Sequence, residues 1–428
     1  MVANSNPAAA QTLGAVYLPF QGGKLWEQGL LVFWFLITFL PMEGGAVSAL
    51  RYLFVLYFLS FLVLDSRNVV ANIARSFWLL PLQILAVLSV FWSPFPDVAL
   101  RTAFLYLTST LIIIILAARY TPRQILRCMM FTAMITSLFV LITPNPMDMG
   151  GPYASKNNLA THMLMGFILC FSFALDKEEH PLIRMPALLF ALVMAFVTVM
   201  ANSTTALLFL ICSSMIILFA RVVFLDLSGI KNIRTMLFLL GAGFALTIVY
   251  GALVFVDQAV LDEFLGVFGK DTSLTGRTAL WAAAGEQIEQ NQYLGLGMEG
   301  FWYYDSGVAQ TLNENDHKPF GTQLTFHNAY LEVGVHLGYI GLVFFISALI
   351  WVVWQMLSQI FKAPDMVVSA FAVIVLVGVI NTFTESVLWG PFDAQTTLFY
   401  VAGAAFVGRD RRRLIGRLVV RQQPPAPA

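Results

Sequence analysis

Long apolar stretches separated by short polar connections organise nearly the whole chain. Twelve of them approach the roughly 20 residues that a helix needs to cross a bilayer: 29–42, 47–64, 77–92, 98–118, 124–143, 157–175, 185–201, 204–224, 235–256, 328–357, 366–388 and 391–408. The first and third are the shortest. An even number of crossings puts both termini on one side. One interval breaks the rhythm: residues 257–327 hold no such run. Within it, residues 278–290 predict an amphipathic helix, followed by the glycine-broken turn Gly295-Leu-Gly297-Met-Glu-Gly300. The pattern predicts an all-α polytopic membrane protein with about twelve transmembrane helices. It divides into a single membrane domain (1–428), a large external loop with short helices (257–327) and a basic tail (409–428).

Composition narrows the class further. The chain is 59% apolar and only 11% charged, against about 25% charged residues in soluble proteins. That excludes a soluble enzyme, a disordered chain and a disulfide scaffold. Basic and acidic residues balance at 24 each, so no bulk attraction to nucleic acid is expected. Cys128, Cys170 and Cys212 lack metal-ligand spacing and read as small buried hydrophobes. The first 27 residues read as a short cytoplasmic tail without a signal peptide. Positive-inside bias orients the bundle. With the arginine-rich tail in the cytoplasm, 18 of the 24 basic residues fall on that side.

The exceptions are informative. Arg51, Arg101 and Lys156 stand near the expected outer starts of the second, fourth and sixth helices. A cation is disfavoured at the positive end of a helix and on the outer face alike. Each could snorkel to lipid phosphate or pair with Glu43, Asp97 or Asp148. Together they could instead hold a strongly anionic ligand at the outer surface, which for a membrane enzyme would be a lipid diphosphate. Arg277 opens the loop helix at the same level, His327 and Asn328 begin the tenth run, and Glu385 ends the eleventh. Ionisable groups at such depths are functional candidates by default.

His327 is the one histidine combining outer depth, a helix start and a polar neighbour, which makes it the candidate base. His180 reads as solvated, and His162 and His336 read as packing groups within spans. His317 belongs to a polar run, 313–317, expected to be exposed loop. Gly334, Gly338 and Gly341 read as a small-residue packing face, and Phe301-Trp302-Tyr303-Tyr304 as interfacial belt. Nothing asks for a metal or a nucleotide, and no cofactor is expected.

Set side by side, these motifs resemble the O-antigen ligase and polymerase superfamily of bacterial envelope glycosyltransferases. The resemblance rests on Trp92-Ser93-Pro94 with Arg101, Lys156-Asn157, Ser203-Thr-Thr205, Gly276-Arg277-x-x-x-Trp281, Gly295-x-Gly297, His327-Asn328-x-Tyr330-Leu331-Glu332 with Gly338, and Glu385. Within that superfamily the Trp-Ser-x-x-Pro segment and the Lys-Asn pair look most like exopolysaccharide repeat-unit polymerases of the Wzy/ExoQ type, with O-antigen ligases the close alternative. Two positions depart from the pattern. Ser155 stands where a histidine often precedes the Lys-Asn pair, and Ser203-Thr-Thr205 lacks the basic residue commonly found nearby.

The resemblance implies a C-type glycosyltransferase of the bacterial inner membrane, working at the periplasmic face without metal or nucleotide sugar. Its donor would be a glycan on undecaprenyl diphosphate. Its acceptor would be another repeat unit or a lipid A core, and other polysaccharide assembly and export proteins are possible partners. Arg277, supported by Arg101, Lys156 and Arg51, would stabilise the leaving diphosphate. His327 would take the acceptor proton, with Glu332 or Glu385 orienting it or binding acceptor beside Asn328. A lipid-linked oligosaccharide transporter is the rival from another class, though it would place its ionisable groups near the midplane.

Overall fold

A computed structural model of the chain describes residues 25–40, 44–143, 152–153, 155–222, 277–315 and 317–407. All regular structure among them is helical: α1 (Leu25–Phe39), α2 (Gly45–Leu64), α3 (Ser66–Arg75), α4 (Pro81–Leu88), α5 (Pro96–Arg119), α6 (Pro122–Ile142), α7 (Lys156–Leu175), α8 (Pro181–Met200), α9 (Thr204–Phe219), α10 (Arg277–Gln290), α11 (Gly307–Asn315), α12 (Ala329–Lys362), α13 (Met366–Asn381) and α14 (Ala394–Ala404). Among the described residues, seven helices are long and apolar enough to cross a membrane, or eight if the bent pair at Ser76 is one span. The chain is a multi-pass membrane protein. The ninth run (235–256), the tail (409–428), residues 1–24, Glu43, Asp148 and the loop up to residue 276 lie outside the described residues.

Apolar length predicts where helices occur but not where they break. The third run is interrupted: 3₁₀ turns at Phe77–Leu79 and Ser89–Phe91 flank α4, and this stretch bends 76° from α3. Pro81, which lacks an amide proton and opens α4, starts a new helix there. The eleventh run stops being helical at Asn381, so Glu385 lies in the loop beyond α13 rather than inside a span.

The largest departure is in α12. Its 34 residues would extend about 50 Å at 1.5 Å each, well past a hydrocarbon core of about 30 Å. At Gly338 the backbone leaves helical geometry (φ 63°, ψ −164°). The amides of Tyr339 and Ile340 then donate to the carbonyls of Gln292 and Tyr293, while those of Leu296 and Gly297 donate to Val335 and His336. A Cβ at position 338 would clash with the Tyr293 carbonyl group. Gly338 is therefore a helix break against which the 291–297 turn docks, not only part of a packing face.

Residues 329–337 thus join the bundle to a cap built from residues 277–326: Ala329, Val333 and Leu337 lie in the bundle core, and Val335 lies in the cap. The cap has its own apolar core, in which Ala284, Phe301, Trp302, Ala309, Phe326 and Val335 are buried together. Phe301 and Trp302 lie inside it, which corrects their reading as interfacial belt; Tyr303 packs instead on Phe95, with ring centroids 4.5 Å apart. Asn313 is likewise buried, its amide donating to the Thr322 carbonyl at 2.9 Å, so the 313–317 run is only partly exposed loop. The cap is fixed to the bundle where Trp92 Nε1 donates to the Leu294 carbonyl and Ser89 accepts from the Met298 amide.

Within the bundle, α13 packs against α7, α9, α12 and α14, and α7 forms an antiparallel hairpin with α8. α7 measures the bundle's depth. Its 20 residues span about 30 Å, so the groups at its two ends are separated by a bilayer thickness. Beyond its C-terminus lies a charged network: Arg123 bonds Asp176, Glu178 and Glu179, and Arg127 bonds Glu179. His180 in the same turn is more than solvated, since its Nδ1 caps α8 by accepting from the Leu182 amide. Cys128 and Cys170 are buried as expected, whereas Cys212 lies on the bundle surface.

Candidate active site

The cluster at the other end is assembled from segments far apart in sequence. His327 precedes α12 in a left-handed conformation (φ 49°), sparsely populated outside glycine. Asn328 caps the helix, its Oδ1 accepting from the amides of Tyr330 and Leu331. The Ala329 amide is tied to the Thr382 carbonyl at 2.9 Å, and the Phe326 carbonyl accepts from Trp281 Nε1. These restraints surround His327 on both sides and hold its strained backbone.

Its ring reaches Glu385. His327 Nδ1 lies 2.8 Å from Glu385 Oε2, and Arg277 donates to the other carboxylate oxygen at 3.0 Å and to the Thr384 carbonyl at 2.6 Å. Burial works against the charge on Glu385. The hydrogen bond from His327 and the neighbouring charge of Arg277 outweigh it and hold the carboxyl below the usual carboxylate range. An ionised carboxylate only accepts, so the proton in the His327 bond sits on Nδ1 and leaves Nε2 with a lone pair when the ring is neutral. Three of the five guanidinium N–H groups of Arg277 have no partner among the described residues.

Glu332 plays a different part. Its buried carboxylate accepts from Trp302 Nε1 (2.7 Å), the Phe326 amide (2.9 Å) and Ser386 Oγ (2.8 Å). Those bonds tie the segment before His327 to the residue after Glu385. Glu332 therefore sets the distance between the two partners, while Glu385 is the one that touches His327.

Beside the cluster opens a cleft lined by Arg277, Glu385, Asn157, Thr161, Ser203, Thr205 and Asn381, with Leu164, Ala206, Phe209 and Val377 completing its wall. Lys156 is exposed at the first turn of α7, next to Asn157. Arg101 is exposed on α5, with no hydrogen bond or ion pair to the cluster among the described residues. Arg51 is used elsewhere, its Nε donating to the Ile37 carbonyl near the end of α1 at 2.7 Å. Of the eight residues singled out from sequence, five meet around His327 (Arg277, His327, Asn328, Glu332, Glu385), one flanks the cleft (Lys156), and two do not join it. His336 is buried, bonded to the Glu332 carbonyl and packed on Trp389, as a packing histidine should be.

A family model described as O-antigen ligase matches residues 189–346, which include Ser203, Arg277, His327 and Glu332. Over 387 residues, covering 86% of this chain and 85% of the relative, the sequence is 28% identical to the exopolysaccharide production protein ExoQ of Rhizobium meliloti strain 1021. In both comparisons the sequence is similar to the O-antigen ligase and Wzy-type superfamily. Glu385 lies beyond the family match, and only the fold brings it to His327. Glu385 itself was a candidate from sequence, whereas Thr384, Ser386, Trp302 and Thr161 were not recognised as site residues. Their contributions are a backbone carbonyl, two bonds to Glu332 and a hydroxyl in a cleft, none of which leaves a residue pattern. Ser203 and Asn157 were visible as motif residues, but nothing marked them as neighbours.

Proposed function

We propose that the chain is an inner-membrane glycosyltransferase that polymerises oligosaccharide repeat units carried on undecaprenyl diphosphate, in exopolysaccharide or O-antigen biosynthesis. The observation that carries this reading is one carboxylate, Glu385, shared by a histidine and an arginine beside a polar cleft at the end of the bundle. Glu385 orients His327 so that Nε2 takes the proton of an acceptor hydroxyl. The acceptor oxygen forms its bond to the anomeric carbon as the bond from that carbon to the diphosphate oxygen breaks. The diphosphate leaves with the electron pair, and the unpaired N–H groups of Arg277 stabilise its growing charge. Lys156 adds positive potential at the rim. No step calls on a metal or a nucleotide sugar.

The name of the Rhizobium relative, an exopolysaccharide production protein, supports a role in exopolysaccharide biosynthesis. The description of the family model favours the alternative, a ligase that transfers lipid-linked polysaccharide to a lipid A core. Purified protein given a lipid-linked repeat unit alone is expected to make longer chains. Product formed only when lipid A core is added would move the reading to the ligase, and no product in either case would overturn both.

In this reading the 257–327 loop faces the periplasm and both termini, with the 409–428 tail, lie in the cytoplasm. In a cysteine-free background, Lys318→Cys should react with an impermeant thiol reagent in intact cells and Arg412→Cys should not. The reverse pattern would remove the periplasmic site.

A further inference from the structure

The cleft beside Arg277 contains an unused helix terminus. Ser203 stands at the N-cap of α9 but makes no capping bond with its side chain. At the start of α7, by contrast, Ser155 behaves as a capping serine should, accepting from the Asn158 amide. Ser203 is only 9% exposed, lines the cleft, and its hydroxyl has no partner among the described residues. The hydroxyl is not sealed in the bundle but opens on the cleft, where a bound ligand would supply the partner the protein does not. The amides of Thr204, Thr205 and Ala206 in the first turn of α9 lack an intrahelical acceptor and receive none from Ser203. Thr205 lines the same wall, as do the amide side chain of Asn157 and the guanidinium of Arg277. The carboxylate of the wall, Glu385, is already engaged by His327 and Arg277. The cleft therefore converges N–H and O–H donors with spare capacity on one space, at the positive end of a 16-residue helix.

We propose that the uncapped N-terminus of α9, with the hydroxyls of Ser203 and Thr205, binds phosphoryl oxygens of the lipid diphosphate opposite the guanidinium of Arg277. This rests on the donor identified under Proposed function and assigns the groups that hold it. The helix terminus supplies amide donors and a fixed partial positive charge to the same oxygens that Arg277 contacts.

Ser203→Asp tests it. An aspartate is a better cap than an unengaged serine, so the helix should be as stable or more so. Its carboxylate would occupy the amides and repel the phosphate. Binding is measured with the full chain in nanodiscs, using undecaprenyl diphosphate as probe. Wild type should bind, and Ser203→Asp should bind at least 30-fold more weakly with an unchanged or raised unfolding temperature. Equal binding by Ser203→Asp and wild type overturns the helix-terminus site while leaving the donor reading intact. Failure of wild type to bind overturns both. Should Ser203→Asp not fold, the neutral pair Ser203→Ala with Thr205→Val decides: about tenfold weaker binding is expected for hydrogen bonds lost to a charged ligand, and unchanged binding overturns the proposal. Inorganic diphosphate should compete only at far higher concentration. Equal competition would assign the site to a free anion and overturn its lipid part.

Discussion

At the Asp176 end of α7, Arg123 reaches three carboxylates and Arg127 binds both oxygens of Glu179, whose side chain is 2% exposed. At the Lys156 end, one carboxylate serves an arginine and a histidine, and Glu385 remains 24% exposed on the wall of a cleft. Both ends pair arginine with buried or half-buried acid, and both sit where helices terminate. The difference is access. Around Glu179 both carboxylate oxygens accept from arginine, acids outnumber arginines, three to two, and Arg127 Nε, without a partner among the described residues, is buried. Around Glu385 the arginine keeps three N–H groups without a partner among the described residues, the histidine keeps Nε2, and both stand beside a cleft. A closed network holds helix ends together; one whose unused valences stand beside a cleft can hold and transform a ligand.

Substitutions at the two ends should separate these roles, and the largest effect is expected at His327. His327→Ala should lower the rate about 10²–10⁴-fold, the range for a general base, while undecaprenyl diphosphate still binds. Arg277→Lys should lose about 10²–10³-fold, because a single ammonium cannot reach the Thr384 carbonyl, Glu385 and a phosphate at once. Arg127→Lys at the other end should leave turnover per folded molecule within a few-fold. If Arg127→Lys slows turnover as much as Arg277→Lys, the division between the two ends is wrong.

The two carboxylates should divide in the opposite sense when stability is read. Glu179→Gln removes the carboxylate that Arg127 binds and leaves Arg123 with Asp176 and Glu178, and should destabilise by about 2 kcal/mol, less than a fully buried pair because both arginines are about a quarter exposed. Glu385→Gln should reduce turnover strongly but stability less, because its partners can turn to solvent in the cleft. Thermal unfolding and rate measured on the same preparations check this. Equal destabilisation by both would make Glu385 a structural hub like Glu179.

Much of this contrast was legible in the sequence, and the limits are physical. Apolar runs mark membrane helices because the requirement for internally satisfied backbone bonds acts on every residue of a span. Arg277, His327 and Glu385 stood out because ionisable groups near span ends are costly. Their pairing did not, since 58 residues separate His327 from Glu385. Glu332 and Glu385 looked equivalent until the fold gave one to Trp302, Phe326 and Ser386 and the other to His327. Arg51 looked like a diphosphate ligand, but a free carbonyl at the end of α1 lies within its reach. The break at Gly338 was hidden because hydropathy continues across it, while the turn that docks there is 45 residues upstream, at Tyr293.

The smallest expected effect is acid sensitivity, and it sharpens the comparison because both ends carry the same sign. Burial opposes charge at Glu179 and Glu385 alike, but hydrogen bonds and neighbouring cations win and lower both below the ordinary value of 4.5. A carboxyl whose folded value is depressed binds fewer protons in the native state than in the unfolded state. Its stabilisation is therefore complete above the unfolded value and disappears as pH falls through the folded one. Arg123, Arg127, Asp176 and Glu178 surround Glu179, and Arg277 and His327 face Glu385. Stability should thus hold down to about pH 4.5 and decline below it. In Glu179→Gln part of that decline should vanish, because glutamine has no proton to gain. Glu385→Gln should remove a smaller part, since its charge is more exposed and better screened. If unfolding midpoints of wild type and both variants fall in parallel between pH 5 and 3, neither carboxylate is the source of acid sensitivity. A larger change in Glu385→Gln than in Glu179→Gln would reverse which end holds the bundle together.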